Sequence, residues 1–237
     1  MKKLLLSLLL VVVLTTPAFA GASRSFDGND YIDLGAPASL DITNFSVCAW
    51  FNGNSFASYS QIVCKTPITG TTRNFELSFD GASHLRGVFT QGVGGYKVTN
   101  GSTALSTGVW YFGCTAYDGA ALKVYLNGVE DGTGAFSGSA DTTTGSAVIG
   151  RLGDLSADHF NGKAAYVHIY NRGITQVEVT QLMYRPGSVT SGLVAYLPLW
   201  GVHSPEIDLS GTGNSGTVNG ATESTDGPPV FIGAGGN

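Results

Sequence analysis

Residues 105–129 read LSTGVWYFGCTAYDGAALKVYLNGV, and this stretch decides the fold. Aromatic and small residues dominate positions 109–117, which favours a strand packed on both faces. From position 122 to 127, apolar side chains alternate with more polar ones, as in a half-buried strand. Asp118-Gly119 and Asn127-Gly128 are hairpin signals, because their residues tolerate a positive φ. The stretch therefore predicts two antiparallel strands, each followed by a tight turn.

The same strand pattern extends along the chain in both directions. A single helix is predicted after Thr175, whose side chain forms a capping box with Glu178. Residues 132–145 are rich in Gly, Ser and Thr and are predicted to be a loop. The strand at 61–65 is predicted to neighbour the one at 45–51. The other predicted strands are 75–79, 85–90, 96–99, 147–150, 160–170 and 192–199.

The composition fits an all-β domain that is exported. The chain has 237 residues, of which 34 are glycine, and only 12% are charged, against an average near 25%. The formal net charge is −5, and removal of Lys2 and Lys3 with a leader makes it −7. Such a surface repels phosphate backbones, so no nucleic acid partner is expected.

The first twenty residues are predicted to be a signal peptide. Lys2 and Lys3 precede an apolar run at 4–14, and Ala18-Phe19-Ala20 fits a cleavage site after Ala20. An uncleaved anchor is the alternative. No later stretch is long and apolar enough to span a bilayer, so the mature chain is expected without a membrane span, in an extracellular or periplasmic location.

The three cysteines are Cys48, Cys64 and Cys114. Export permits a disulfide, and three pairings remain open, each of which leaves one thiol over. The competing interpretation is that at least one is a small buried apolar residue. Their spacing matches no zinc pattern.

Four sets of motifs follow one another along the chain. They are Phe26-Asp27-Gly28 with Tyr31-Ile32-Asp33-Leu34, Phe45-Ser46-Val47 with Trp50, Trp110 through Gly128, and Phe160-Asn161-Gly162 with residues 167–172 and the helix that contains Glu178. Together these segments resemble the laminin-G-like, concanavalin A-like jelly-roll domains. The resemblance covers residues 23–185, with the 187–237 tail left over. It implies an all-β jelly-roll sandwich of two antiparallel sheets, with one short helix near the C-terminal end of the core. Many family members are exported modules that bind glycans, proteins or calcium, and others are appended to enzymes.

The tail resembles a segment that usually precedes the Phe-Asp-Gly turn in such domains. Its parts are 192–199 (GLVAYLPL) and 208–217 (DLSGTGNSGT). One hypothesis is that the tail strand docks beside the first strand and completes the sandwich in a permuted order. The alternative is the start of a truncated second module. The predicted organisation is a signal peptide at 1–20, a jelly-roll domain at 21–186 and a C-terminal strand with a Gly-rich tail at 187–237.

Two sets of residues are candidates for binding. Tyr59, Tyr96 and Trp200 lie near predicted loops, where aromatic rings can stack on sugars, whereas Trp50 and Trp110 lie in buried patterns and are assigned to the core. A calcium site is predicted from hard oxygen ligands in the first turn and from the resemblance, which brings the turn close to the closing strand. The alternative is that the first aspartate simply caps the turn. The predicted calcium ligands are Asp27, Asn29, Asp30 and Asn161.

Catalysis is not expected. Related jelly-roll glycosidases use Glu-x-Asp-x-x-Glu on one strand; Glu206-Ile207-Asp208 begins that pattern, but position 211 is Gly. The histidines have neither metal-ligand nor triad spacing, and His168 is predicted on a solvated strand face. The predicted function is a secreted, non-enzymatic module that binds glycans or cell-surface components, with calcium as a candidate stabiliser. The alternatives are a structural or adhesion subunit of an extracellular or virion assembly that binds protein partners, and a divergent glycoside hydrolase.

Overall fold

A computed structural model describes residues 22–67, 71–92, 95–153 and 158–230. The signal peptide predicted at residues 1–20 lies outside these residues. Among them, no helix has both the length and the apolar character needed to cross a membrane.

The described part of the chain is built mainly from short strands. One helix, α1, spans Gln176–Tyr184, and a single 3-10 turn covers Ala38–Leu40. In chain order the strands are β1 (Ser23–Asp27), β2 (Tyr31–Asp33), β3 (Phe45–Gly53), β4 (Gln61–Lys65), β5 (Phe75–Phe79), β6 (Leu85–Thr90), β7 (Tyr96–Asn100), β8 (Trp110–Tyr117), β9 (Ala121–Leu126), β10 (Val129–Ala135), β11 (Ala147–Ile149), β12 (Asn161–Tyr170), β13 (Leu193–Leu197), β14 (Thr217–Asn219) and β15 (Thr222–Ser224).

These strands form two antiparallel sheets. The first sheet has the order β10-β9-β8-β3-β12-β1-β15, with β13 paired to β12, and the second has the order β14-β2-β11-β4-β5-β6-β7. Their inner faces share one apolar core, in which the Phe89 ring lies 4.2 Å from Tyr117 and 5.9 Å from Phe45 between centroids. The predicted jelly-roll sandwich with one short helix is confirmed.

The opening hairpin has the predicted form. β8 pairs with β9, and Asp118 closes the turn by accepting the amides of Ala120 and Ala121 at 2.9 and 2.8 Å. The predicted loop at 132–145 is wrong at its start, because β10 continues to Ala135. Glycines within β10 interrupt the alternation that marks a strand in the sequence. Gly132 is required by close packing, because a Cβ there would lie 2.2 Å from the Asn100 carbonyl oxygen.

The prediction that β4 neighbours β3 is also wrong. β3 pairs with β8 and β12 in the first sheet, whereas β4 lies between β11 and β5 in the second. Both strands are buried along their whole length, so their sequences carry no signal that assigns them to different sheets.

The C-terminal tail contributes strands to both sheets. β13 pairs with β12, β14 with β2, and β15 with β1. The tail strand beside the first strand is thus Thr222–Ser224, and the more apolar Leu193–Leu197 lies beside the closing strand instead. Arg24 on β1 holds the tail by a buried ion pair to Glu206 at 2.5 Å. The boundaries between the predicted domains stay a prediction.

A second apolar cluster covers the outer face of the first sheet. Helix α1 packs Val179 and Leu182 there, against Trp50 and neighbouring residues. Within this cluster Cys48 on β3 lies opposite Cys114 on β8, and the two form a disulfide. Cys64 is the remaining thiol, and burial raises its pKa to about 12, which keeps it protonated and unreactive.

His168 is buried, and its prediction as a solvated residue is wrong. Its ring stacks on Tyr196 at 4.4 Å between centroids, and its Nε2 accepts the Gly187 amide at 2.9 Å. The prediction that Ala165 shares a face with Val167 and Ile169 is also wrong, because a register shift between Ala165 and His168 moves Ala165 to the outer cluster. The tail covers that outer face. Burial lowers the pKa of His168 to about 3.

Acid should destabilise the protein through His168. The pKa is about 3 in the folded chain and about 6.5 in the unfolded chain, so the unfolded chain binds more protons between these values. The contribution is complete above about pH 6.5 and falls toward pH 3, by up to about 1.4 kcal/mol per pH unit. Urea unfolding at a series of pH values measures this slope. His168→Gln should flatten this slope, and equal slopes in the wild type and His168→Gln would contradict the assignment.

Candidate ligand-binding site

The outer face of the second sheet carries a pocket of about 250 Å³. Strands β4 to β6 each place a polar residue on this face, because Gln61, Ser78 and Arg86 stand opposite one another in register. Tyr96 enters from β7, opposite Thr90. The lining residues are Tyr59, Gln61, Arg73, Glu76, Arg86, Tyr96 and Asp158.

Two tyrosines form the aromatic part of the pocket. Tyr59 is 54% exposed and Tyr96 is 43% exposed. The Arg86 guanidinium lies 5.0 Å from the ring centroid of Tyr59, and that of Arg73 lies 5.8 Å from the ring centroid of Tyr96. Tyr59 has a φ of 68°, which is uncommon for an aromatic residue. The sheet holds it there, since the Tyr59 amide donates to the Phe79 carbonyl at 2.9 Å.

A buried carboxylate organises the charged side of the pocket. Glu76 on β5 is 2% exposed, and its Oε1 accepts from the Ser78 hydroxyl at 2.6 Å. The same oxygen lies 3.3 Å from Nη1 of Arg86, while Oε2 lies 3.2 Å from Nε of Arg73. Glu76 thus fixes both guanidinium groups, each of which also contacts a tyrosine ring.

Two buried polar atoms of the lining have no hydrogen-bond partner among the described residues: Gln61 Oε1 and Arg73 Nη1. The orientation of the Gln61 amide is set by its Nε2, which donates to the Tyr59 carbonyl at 2.7 Å. Leaving such a group unpaired costs about 1–3 kcal/mol, so each needs an explanation. One explanation is a ligand that supplies the missing hydrogen-bond partners.

Asp158 brings a second carboxyl group to the pocket. Its burial, and then the charge of Glu76, raise the pKa of Asp158, while Arg73, His159 and Arg86 oppose the rise. Its carbonyl accepts the Gln61 amide at 2.9 Å, which ties this loop residue to the end of β4.

The pocket unites Tyr59 and Tyr96, which the sequence predicted as binding residues, but not Trp200. Trp200 is partly buried and packs against the cluster on the outer face of the first sheet. The sequence missed Gln61, Arg73, Glu76, Arg86 and Asp158. Gln61, Glu76 and Arg86 are polar residues of β4 to β6, but a polar residue on a strand does not distinguish a pocket wall from a solvated face. Arg73 and Asp158 lie outside these strands, and the sequence carries no signal for them.

The predicted calcium ligands do lie close together. Asp27 at the end of β1 pairs in register with Asn161 of β12. Within the turn, Asp27 Oδ1 accepts the Asn29 amide at 2.9 Å, and Asp30 Oδ2 accepts the Asp27 amide at 3.0 Å. Both aspartates therefore cap the turn with one oxygen. Calcium binding stays a prediction.

The carboxylates of the Glu206-Ile207-Asp208 triplet serve the fold. Glu206 is 1% exposed and paired with Arg24. Asp208 accepts the amides of Tyr196, Ser210 and Asn214 at 2.8, 2.9 and 2.8 Å, which lowers its pKa against the effect of burial. This arrangement secures the 208–217 loop to β13.

Comparison with known proteins identifies the class of this fold. A family model described as the concanavalin A-like lectin/glucanases superfamily matches residues 26–180, which is more than half of the chain. The chain therefore belongs to the concanavalin A-like lectin/glucanases superfamily, and the resemblance found in its sequence is confirmed. No curated protein sequence matches the chain.

Solved structures share the fold at low sequence identity. A Bacteroides ovatus ATCC 8483 protein assigned to carbohydrate binding aligns with a TM-score of 0.71 and 21% identity, over 92% of this chain. This chain spans 63% of that protein's length. A second structure is domain 4 of AbnA, a GH43 extracellular arabinanase from Geobacillus stearothermophilus, in complex with arabinotriose. It aligns with a TM-score of 0.54 and 22% sequence identity, over 68% of this chain and 75% of that one. A third structure is the CBM40 of the Ruminococcus gnavus IT-sialidase, bound to α2,3-sialyllactose. It aligns with a TM-score of 0.56 and 12% sequence identity, over 68% of this chain and 95% of that one.

Proposed function

We propose that this protein is an exported, non-enzymatic module that binds glycans in the pocket on the outer face of its second sheet. One observation carries the proposal: two half-exposed tyrosines flank two arginines, which are ion-paired to the buried Glu76, and an unpartnered glutamine oxygen. Aromatic rings that stack on a sugar, together with a few fixed polar groups, are what a glycan site needs. The carbohydrate-binding relatives of the fold support the same function.

Replacing either tyrosine should weaken glycan binding at least tenfold. An exposed aromatic residue that anchors a ligand is worth about 1.4 kcal/mol or more, which corresponds to that factor. A glycan array finds the ligand, and calorimetric titration then compares the wild type with Tyr59→Ala and Tyr96→Ala.

Two other aromatic residues provide matched controls for this test. Tyr184 on α1 is 47% exposed but lies outside the pocket, and Trp200 lies on the other sheet. Tyr184→Ala and Trp200→Phe should retain the wild-type affinity. If Trp200→Phe abolishes glycan binding and Tyr96→Ala leaves it intact, the binding site lies outside this pocket. A blank array with a stable oligomer in solution would favour the assembly subunit.

Calcium as a stabiliser of the module is a separate proposal. The second oxygens of Asp27 and Asp30, with Asn29 and Asn161 beside them, are the hard ligands that calcium prefers. The thermal midpoint should then rise in excess calcium relative to chelator. Asp30→Asn should remove the rise, and identical midpoints in calcium and chelator would argue against a site.

A further inference from the structure

The positive charge of the pocket is already matched by its own carboxyl groups. The lining holds two cations, Arg73 and Arg86, and two acids, Glu76 and Asp158. Glu76 engages both arginines through its two oxygens, at 3.2 and 3.3 Å. A carboxylate that enters the pocket therefore competes with Glu76 for the guanidinium groups, and it approaches two acids of its own sign.

The unpaired atoms of the lining indicate that the ligand bears hydroxyl groups. Gln61 Oε1 is an acceptor that needs a donor, and Arg73 Nη1 is a donor that needs an acceptor. A hydroxyl group donates and accepts, so a sugar ring can meet both requirements. The selection against a carboxylate on that ring rests on the two acids of the lining, Glu76 and Asp158.

The size of the pocket limits how much of a glycan it takes. Its volume of about 250 Å³ is below the roughly 300–1,000 Å³ of sites that enclose a drug-sized molecule. One sugar ring is the unit that fits, with its apolar face available to Tyr59 or Tyr96 and its hydroxyl groups to the polar floor.

We infer that the pocket recognises one uncharged, hydroxyl-bearing sugar ring and selects against the same ring when it carries a carboxylate. This inference rests on the proposed function and adds the substrate class to it.

A panel of paired glycans tests the selection. Each acidic polysaccharide or oligosaccharide is presented beside its carboxyl-reduced form, so that ring stereochemistry and linkage are kept and only the charge changes. Titration of the full mature chain should give at least tenfold tighter binding of the reduced form in every pair that binds. An acidic form that binds equally well or more tightly would overturn the inference.

A variant of Asp158 provides a second readout. Asp158→Asn removes one of the two acids, so the preference for the reduced form should shrink severalfold. Glu130→Gln removes a carboxylate that pairs with Lys123 outside the pocket, and it should leave the preference unchanged. An unchanged preference in Asp158→Asn would contradict the charge argument.

The failures of the inference and of the proposed function are distinguishable. If acidic forms bind more tightly and Tyr96→Ala abolishes that binding, the glycan site stands and its assigned substrate class is wrong. If no glycan of the array and neither form of any pair binds to the folded protein, the proposed function fails and the inference fails with it.

Discussion

A chain that ends at Arg185 should lose its cooperative unfolding transition. The truncation removes β13, β14 and β15, and it strips a strand partner from each of β12, β2 and β1. It also removes the buried side chains of Val189, Val194, Leu197 and Leu199. Each contributes about 1.5–3 kcal/mol by burial, so together they are comparable with the roughly 5–15 kcal/mol that stabilises a typical domain.

The measurement is a urea or thermal unfolding curve of the truncated and full chains. Full, cooperative stability in the truncated chain would show that the tail is not part of the sandwich and would favour a truncated second module. The full-length variant Glu206→Gln keeps the test informative if the short chain aggregates. It leaves Arg24 without its buried charge partner, which should cost about 3–5 kcal/mol.

Replacing Glu76 with Gln should both destabilise the fold and abolish ligand binding. The change removes the buried charge that two arginines share, and breaking such a pair costs about 3–5 kcal/mol. Arg73 and Arg86 would then lose the positions that place them beside the two tyrosines. Denaturant unfolding measures the first effect, and titration with the glycan found on the array measures the second.

A surface ion pair is the matched control for Glu76. Lys123 and Glu130 lie 2.8 Å apart with side chains that are 36% and 33% exposed, so Glu130→Gln should cost less than about 1 kcal/mol and leave affinity intact. A Glu76→Gln protein with wild-type stability would contradict the buried network. A Glu76→Gln protein that is destabilised but binds the glycan with wild-type affinity would show that the network stabilises the fold without contributing to the binding site.

The sequence was most informative where local chemistry and topology agree. Asp118-Gly119 predicted the hairpin because a turn signal lay between two well-patterned strands. The β10 strand was missed, since Gly132 and Gly134 remove the alternation that marks a strand. Sheet assignment also failed for β4, because a strand buried on both faces carries no preference for a partner.

The candidate site was only partly accessible from sequence. The position of Tyr59 and Tyr96 near loops predicts rings that can stack on sugars, and the fold brings both to one pocket. Glu76 and Arg86 lie on strands where polar residues commonly face water. Only the pairing of β5 with β6, which puts Arg86 opposite Ser78, brings Glu76 within reach of Arg86. His168 shows the same limit, because the segment that buries its face comes from the distant tail.

Mapping the bound glycan onto the protein by NMR tests the central claim most directly. A protein of residues 21–237 is titrated with the strongest ligand from the array while backbone amide shifts are followed. The largest changes should cluster at residues 59–61, 73–76, 86 and 96, and they should disappear in Tyr96→Ala. Changes confined to the first sheet, around Trp200 and α1, would contradict the assignment of this pocket as the binding site.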